Sequence, residues 1–170
     1  PYALSKVINY YIGENYKNNL KLWVSNSFLS NHNSLLRNKQ FIFGKIVNYI
    51  NKKNINPKKK LFVGNIDIKR DWGWAPEFVK FIYLIMQTKR AKNYIIGTGK
   101  KTSLRIIIDK FFKKYNYDYR KYIKKDKSLI RPGESKENYV NPKLLKKTFN
   151  KIPSVSIDKI VNNLVKNNFE

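Results

Sequence analysis

Tyr2 and Lys6 stand four residues apart in a segment with helical apolar spacing. That spacing sets both side chains on one helix face, a turn apart. An ordinary tyrosine titrates near pH ~10. A neighbouring ammonium favours the phenolate, which makes the side chain a proton carrier usable near neutral pH. The chain holds twelve Tyr and thirty Lys, so the same pattern also fits a surface Tyr beside a solvated Lys. Arg70-Asp71-Trp72-Gly73 and Arg131-Pro132-Gly133-Glu134 each combine one Arg with one carboxylate. Arg is scarce here, six of 36 cations, and its planar fork suits a diphosphate. A structural salt bridge is the competing reading for each string. Gly97-Thr98-Gly99-Lys100-Lys101-Thr102 imitates a phosphate-binding loop. It lacks the first Walker glycine, with Tyr94 in that place, and reads better as a strand-to-helix turn.

The elements that must hold these residues follow from periodicity. Tyr2 to Tyr16 predicts a helix through Val7, Tyr10 and Tyr11, broken at Asn18-Asn19. Leu20 to Val24 predicts a short strand, and Ser25 to Lys39 a long polar loop. Phe41 to Ile50 carries a helical apolar stripe, Asn51 to Lys60 is a polar turn, and Leu61 to Val63 is a strand ending at Gly64. Ile66 to Gly73 reads as a second polar loop. Ala75 to Gln87 is the clearest helix, with Phe78, Val79, Ile82, Ile85 and Met86 on the face to be buried. Tyr94 to Ile96 is a strand, and Thr102 or Ser103 caps a helix through Leu104, Ile107, Ile108, Phe111 and Phe112. Tyr115 to Ile130 reads as a strand plus turns, and Arg131-Pro132-Gly133 as a turn. Pro142 opens a short helix that Pro153 ends, and Ser156 caps a last amphipathic helix reaching Asn168. Helices alternating with short strands predict an α/β or α+β domain. The strands are too few for a complete doubly wound sheet.

Length and composition bound the rest. A chain of 170 residues, 42% apolar and 15% aromatic, can build one domain with a hydrophobic core. No Cys is present, which excludes disulfides, thiolate zinc sites and cysteine nucleophiles. His32 is the one histidine and cannot build a multi-histidine metal site. The longest apolar runs, such as Phe81 to Met86, are too short for a membrane span, and no stretch has the order of a signal peptide. The chain opens at Pro1, which suggests a processed product or a fragment. The net charge of +25 invites a nucleic-acid reading. Lys, Asn and Ile, however, fill 72 of the 170 positions. All three have A/T-rich codons, so genome composition accounts for the charge without a polyanionic partner.

Several strings together carry a resemblance. They are Pro1-Tyr2-Ala3-Leu4-Ser5-Lys6, Asn31-His32-Asn33-Ser34 with Arg37, Gly64-Asn65-Ile66-Asp67-Ile68-Lys69-Arg70-Asp71-Trp72-Gly73, and Arg131-Pro132-Gly133-Glu134. In order and spacing the chain resembles the GDP-mannose 4,6-dehydratase family of extended short-chain dehydrogenases/reductases, from the catalytic Tyr motif onward. The resemblance implies the C-terminal portion of that α/β fold. Residues 1–30 would be a remnant of the NAD(P)-binding Rossmann-like domain. Residues 31–170 would be mainly the smaller substrate-binding domain, with some segments returning to the Rossmann-like sheet. It implies that Tyr2 accepts the proton of the sugar 4-hydroxyl while hydride passes to NADP (NAD is also possible), and that Lys6 holds the cofactor ribose. His32 and Arg37 would contact the cofactor. Asn31 would lie near the substrate diphosphate, Arg70 and Arg131 would clamp it, and Glu134 would accept a hydrogen bond from the nucleotide. The implied substrate is GDP-mannose, converted to GDP-4-keto-6-deoxymannose in a cytoplasmic homo-oligomer, a dimer or tetramer. The glycine-rich cofactor fingerprint and the C5 base are not in this chain, so alone it should be inactive.

The family's N-H-E-S-P-R-R-G reads here Asn31-His32-Asn33-Ser34-Leu35-Leu36-Arg37-Asn38, and Trp74 stands where many members have His. Loss of one cation and of the Pro/Gly rigidity bears on the NADP preference and on the tetramer contact this loop makes in the family. Two rivals remain: another nucleotide-sugar epimerase, dehydratase or reductase of the same superfamily, and a basic nucleic-acid-binding domain.

Overall fold

The computed structural model describes residues 1–51, 55–130 and 132–166. The chain opens with α1 (Tyr2–Asn18), followed by β1 (Ser27–Leu29) and β2 (Asn31–Asn33). Next come α2 (Ile42–Ile50), β3 (Leu61–Val63), β4 (Lys69–Arg70), β5 (Trp72–Trp74) and α3 (Ala75–Met86). Then follow β6 (Tyr94–Ile96), β7 (Thr102–Ser103), α4 (Leu104–Lys113), β8 (Ile123–Lys125), β9 (Glu137–Asn138), α5 (Lys143–Phe149) and α6 (Ile157–Lys166).

The sheets are short and mostly parallel. β1 pairs with β6, β2 with β5 and β3 with β8, all parallel. β4 sits between β7, antiparallel, and β9, parallel. Strands β1 and β2 are nearly one extended run that changes partner at Ser30, whose N–H still donates to the Ile96 carbonyl at 2.9 Å. Such a change of partner opens a crevice where loops diverge, the usual place for a ligand in an α/β sheet.

Two apolar clusters hold the elements. The larger joins Phe43, Ile46 and Val47 of α2 to Ile107, Ile108, Phe111 and Phe112 of α4 and to Ile160, Val161 and Leu164 of α6. Each set recurs at three- and four-residue spacing, so one stripe per helix faces inward. The smaller joins Phe78, Phe81 and Ile85 of α3 to Tyr94 and Ile96 of β6 and Leu145 of α5. Helix α4 starts as its sequence predicts: the Ser103 hydroxyl accepts from the Ile106 N–H at 3.3 Å.

Several expectations need correction. Leu20 to Val24 is not a strand: Lys21 has φ 54, a left-handed conformation that interrupts an extended run. Side chains instead tie down the segment that follows, Trp23 Nε1 donating to the Thr88 carbonyl and Ser25 Oγ to that of Lys92. The two polar loops contain β1 and β2 in the first case, β4 and β5 in the second. On α3 the buried face is Phe78, Phe81 and Ile85, while Val79 and Met86 are exposed. Pro142 precedes α5, and that helix stops at Phe149 with left-handed Asn150, before Pro153. The polar turn expected over Asn51 to Lys60 lies partly outside the described residues, as do Arg131 of the expected turn and the end of the last helix beyond Lys166.

Candidate active site

Strand β2 divides two cavities, and its alternation explains how. Successive side chains on a strand point to opposite faces. Asn31 therefore opens into a cleft of about 490 Å³, and His32 into a groove of about 470 Å³.

The groove is lined by Tyr2, Lys6, Tyr10, Phe28 and His32, among others. Tyr2 and Lys6 are a turn apart on α1, with the Lys6 ammonium 5.0 Å from the Tyr2 ring centroid. The His32 ring packs on Phe78 at 4.9 Å between centroids. Its Nδ1 lies 2.8 Å from the Ser30 carbonyl. A carbonyl only accepts, so Nδ1 is the donor of this bond and Nε2 takes no part in it. Helix α1 is anchored at its far end. Glu14 Oε1 accepts from the side-chain amides of Asn26 and Asn93, each at 2.9 Å. Gly13 lets the helix close on Asn26: a Cβ there would fall 2.7 Å from Asn26 Oδ1. Nearer its start the helix stays open, with Tyr2 and Leu4 exposed.

The cleft holds Asn31, Arg37, Phe41, Lys45, Arg70, Trp72 and Glu134. Arg70 leaves β4 and is fixed in place. Its Nη1 donates to the Lys69 carbonyl at 2.9 Å and its Nη2 to that of Ser135 at 2.8 Å. Glu134 Oε1 lies 3.9 Å from Nη2. Arg37 does not join His32 in the groove: it lines the cleft, donating from Nη1 to the His32 carbonyl at 3.0 Å and stacking on Phe41 at 4.0 Å. Arg131 lies outside the described residues.

Asp71, between Arg70 and Trp72 of the cleft lining, is fully buried. Next in the chain to Arg70, it faces the other way and makes no ion pair with it. Its Oδ1 accepts from the Thr98 N–H at 3.1 Å and from the Thr98 hydroxyl at 2.7 Å. Its Oδ2 accepts from the Gly99 N–H at 2.8 Å. The loop that imitates a phosphate site thus has its amides turned onto an internal carboxylate. A Cβ on Gly97 would fall 2.9 Å from both Asp71 Oδ2 and Ser30 Oγ, so a side chain there has no room. Sequence reasoning saw Asp71 only as half of a possible salt bridge and missed Lys45, one Lys among thirty.

Solved structures share this architecture. Among them are RMD from Pseudomonas aeruginosa complexed with NADPH (TM-score 0.86, 18% identity, 98% of this chain and 55% of that chain) and dTDP-glucose 4,6-dehydratase from Bacillus anthracis in complex with NAD (TM-score 0.84, 18% identity, 98% and 51%). The fold is that of the extended short-chain dehydrogenases/reductases. Within that class the family described as GDP-mannose 4,6 dehydratase matches residues 1–164, and the chain belongs to it. GDP-mannose 4,6 dehydratase 1 of Arabidopsis thaliana is 28% identical over 170 residues, all of this chain and 47% of the relative. The chain spans about half the length of the curated relatives it matches.

Proposed function

We propose that this chain supplies the proton-handling pair and the nucleotide-sugar cleft of a GDP-mannose 4,6-dehydratase. The observation that carries the reading is one strand with a Tyr–Lys groove on one side and a cationic cleft on the other. Family membership over residues 1–164 selects the reaction class. The substrate would be GDP-mannose and the product GDP-4-keto-6-deoxymannose, formed in a homo-oligomer. The parallel pairing of β1 with β6, a strand of the smaller apolar cluster, supports assigning part of the later sequence to the same unit as residues 1–30.

The groove fits the ribose and nicotinamide end of a dinucleotide. It offers the Tyr2 hydroxyl, the Lys6 ammonium and the His32 imidazole beside the aromatic rings of Tyr10 and Phe28. A bound nicotinamide cofactor would accept and return the hydride. NADP is the form we propose, as in the NADPH complex of the Pseudomonas aeruginosa neighbour.

Tyr2 takes the proton of the sugar 4-hydroxyl as that carbon is oxidised, and Lys6 holds the ribose against α1. His32 is held by its Nδ1 bond and offers Nε2 to the cofactor side. In the cleft, Asn31, Arg70 and Glu134 orient the nucleotide; the family resemblance adds Arg131, which lies outside the described residues, as a further cation. Among the described residues lining the two cavities, Glu134 is the one carboxylate, and it faces Arg70. These residues therefore offer no free carboxylate as the C5 base for loss of water.

Two measurements test this reading. Trp72 lines the cleft, so its fluorescence should report GDP-mannose binding and favour GDP over UDP and dTDP. Equal response to all three would favour another nucleotide-sugar enzyme of the same fold. In the protein complemented with the remaining half of the family's length, Tyr2→Phe should cut turnover by about 10²–10⁴-fold, the usual worth of general acid–base catalysis. Lys6→Met should lose less and recover partly at high pH. Near-normal turnover of Tyr2→Phe refutes the assignment.

A further inference from the structure

We infer that a third, smaller cavity, which meets the cleft only at Trp72, is a separate binding site for a small carboxylate carrying one apolar ring. The inference goes beyond the proposed function and does not depend on which nucleotide the cleft takes.

The cavity measures about 150 Å³ and lies among Trp72, Thr98, Lys100, Thr102 and residues 152–157. Trp72 is the one residue it shares with the cleft, and it shares none with the Tyr2–Lys6 groove. It falls in the seam between the two apolar clusters. Ile152 packs on the smaller, while Val155 and Ile157 pack on the larger, to which Trp72 belongs. Neither core fills the space. A void in such a seam leaves its lining short of partner atoms, and an occupant of matching shape restores them.

The walls are set without a ligand. Glu77 accepts from the N–H groups of Ser154 at 3.0 Å and Val155 at 2.9 Å, which pins that segment to the first turn of α3. Ser156 Oγ accepts from the Lys159 N–H at 3.2 Å and starts α6. Trp72 Nε1 donates to the Thr102 carbonyl at 3.0 Å. Thr98 is held by its two bonds to Asp71. A preformed pocket of this kind loses little to ordering when it binds.

The lining selects the ligand. Trp72, Ile152, Pro153, Val155 and Ile157 supply apolar surface, and an indole face suits a flat ring. An apolar cavity of roughly this volume accepts benzene. Lys100 is the one charged residue of the lining and is exposed. It makes no ion pair among the described residues, whereas its neighbour Lys101 is taken by Glu137 at 2.6 Å. A single cation at the edge of apolar walls favours a monoanion with an apolar body over a phosphate.

Benzoate, benzyl alcohol and acetate, titrated separately into the 170-residue chain and followed by amide and indole N–H resonances, test the inference. Benzoate should bind on the order of 1 mM, as suits so small a ligand, and shift the Trp72 indole, Thr102 and Val155 signals together. Lys100→Gln should weaken benzoate about two- to fivefold, the worth of one exposed ion pair, and leave benzyl alcohol unchanged. Val155→Phe and Ile152→Phe each fill the space, from opposite clusters, and should abolish binding of both rings. Thermal melts of the two variants separate a filled cavity from a folding defect, and the surface variant Lys100→Gln carries the test if both are unstable. Arg37→Gln, in the cleft, should change nothing. Loss of benzoate in Arg37→Gln but not in the filled variants would place the carboxylate in the cleft and overturn the site. So would silence of the Trp72 indole at roughly tenfold higher benzoate. Acetate binding as tightly as benzoate would overturn the ring specificity.

Discussion

Asp71 shows how much one buried carboxylate can organise. Two backbone N–H groups and a hydroxyl end on it, and it lies between Arg70 and Trp72, both lining the cleft. Asp71→Ala would leave those donors buried and unpaired, each costing about 1–3 kcal/mol. The expected loss is on the order of 3 kcal/mol, read as a lower urea midpoint. Asp71→Asn keeps one oxygen and should cost less. A second test is electrostatic. Glu137 receives Lys69 Nζ at 2.7 Å and Lys101 Nζ at 2.6 Å, and these bonds hold its carboxyl at about 2, down from 4.5. A lowered folded-state pKa stabilises above the unfolded value and is lost as pH falls. The stability difference between the parent and Glu137→Gln should therefore be constant above pH 4.5 and vanish toward pH 2. A difference that persists at pH 2 contradicts the linkage.

Among elements, the close approach of β5 to α3 makes the sharpest prediction. A Cβ on Gly73 would lie 2.2 Å from Phe78 Cε2, and Phe78 is fully buried. Gly73→Ala should cost about 1–3 kcal/mol through overpacking, measured by chemical denaturation. That glycine belongs to the string that carried the family resemblance, yet its packing role was not readable from the string. The legible elements were those with internal signals. The stripe through Leu104, Ile107, Ile108, Phe111 and Phe112, its Ser103 cap, and the helix beginning at Tyr2 all appear as expected. What escaped were short parallel strands such as β2 and β4, two or three residues long. A run of that length has no periodicity to detect, and its partner lies far along the chain: Asn31 pairs with Trp72, Ser27 with Tyr94. The same gap hid the site's division. Residue types flagged Tyr2, Lys6 and Arg70, and the family resemblance added His32 and Arg37. Only the pairing of β2 with β5 revealed that His32 and Arg37 open into different cavities. Val79 and Met86 failed because α3 turns Phe81 inward in their place.

Across the molecule, one end is apolar and open. Leu4, Ile8, Tyr11 and Ile12 of α1 are exposed, as are Phe28 and Leu29 of β1 and Ile95 of β6. Two-stranded parallel sheets are ordinarily covered on both faces, and exposed patches of this kind attract apolar probes. The chain by itself should bind an anilinonaphthalene dye, and replacing Leu4, Ile8 and Tyr11 together by Ser should reduce the signal without shifting the melt of the larger core. No described helix is long and apolar enough to cross a membrane.

Strand β2 also has a consequence for how ligands sense one another. Asn31 and His32 are adjacent, so no chain of intermediaries separates the two chambers. Any displacement of the backbone on one side is a displacement on the other. Thermodynamic reciprocity then applies: whatever factor an anion in the cleft imposes on affinity in the groove, the groove's occupant imposes on the anion. Whatever coupling the two chambers have must pass through the peptide of this single strand.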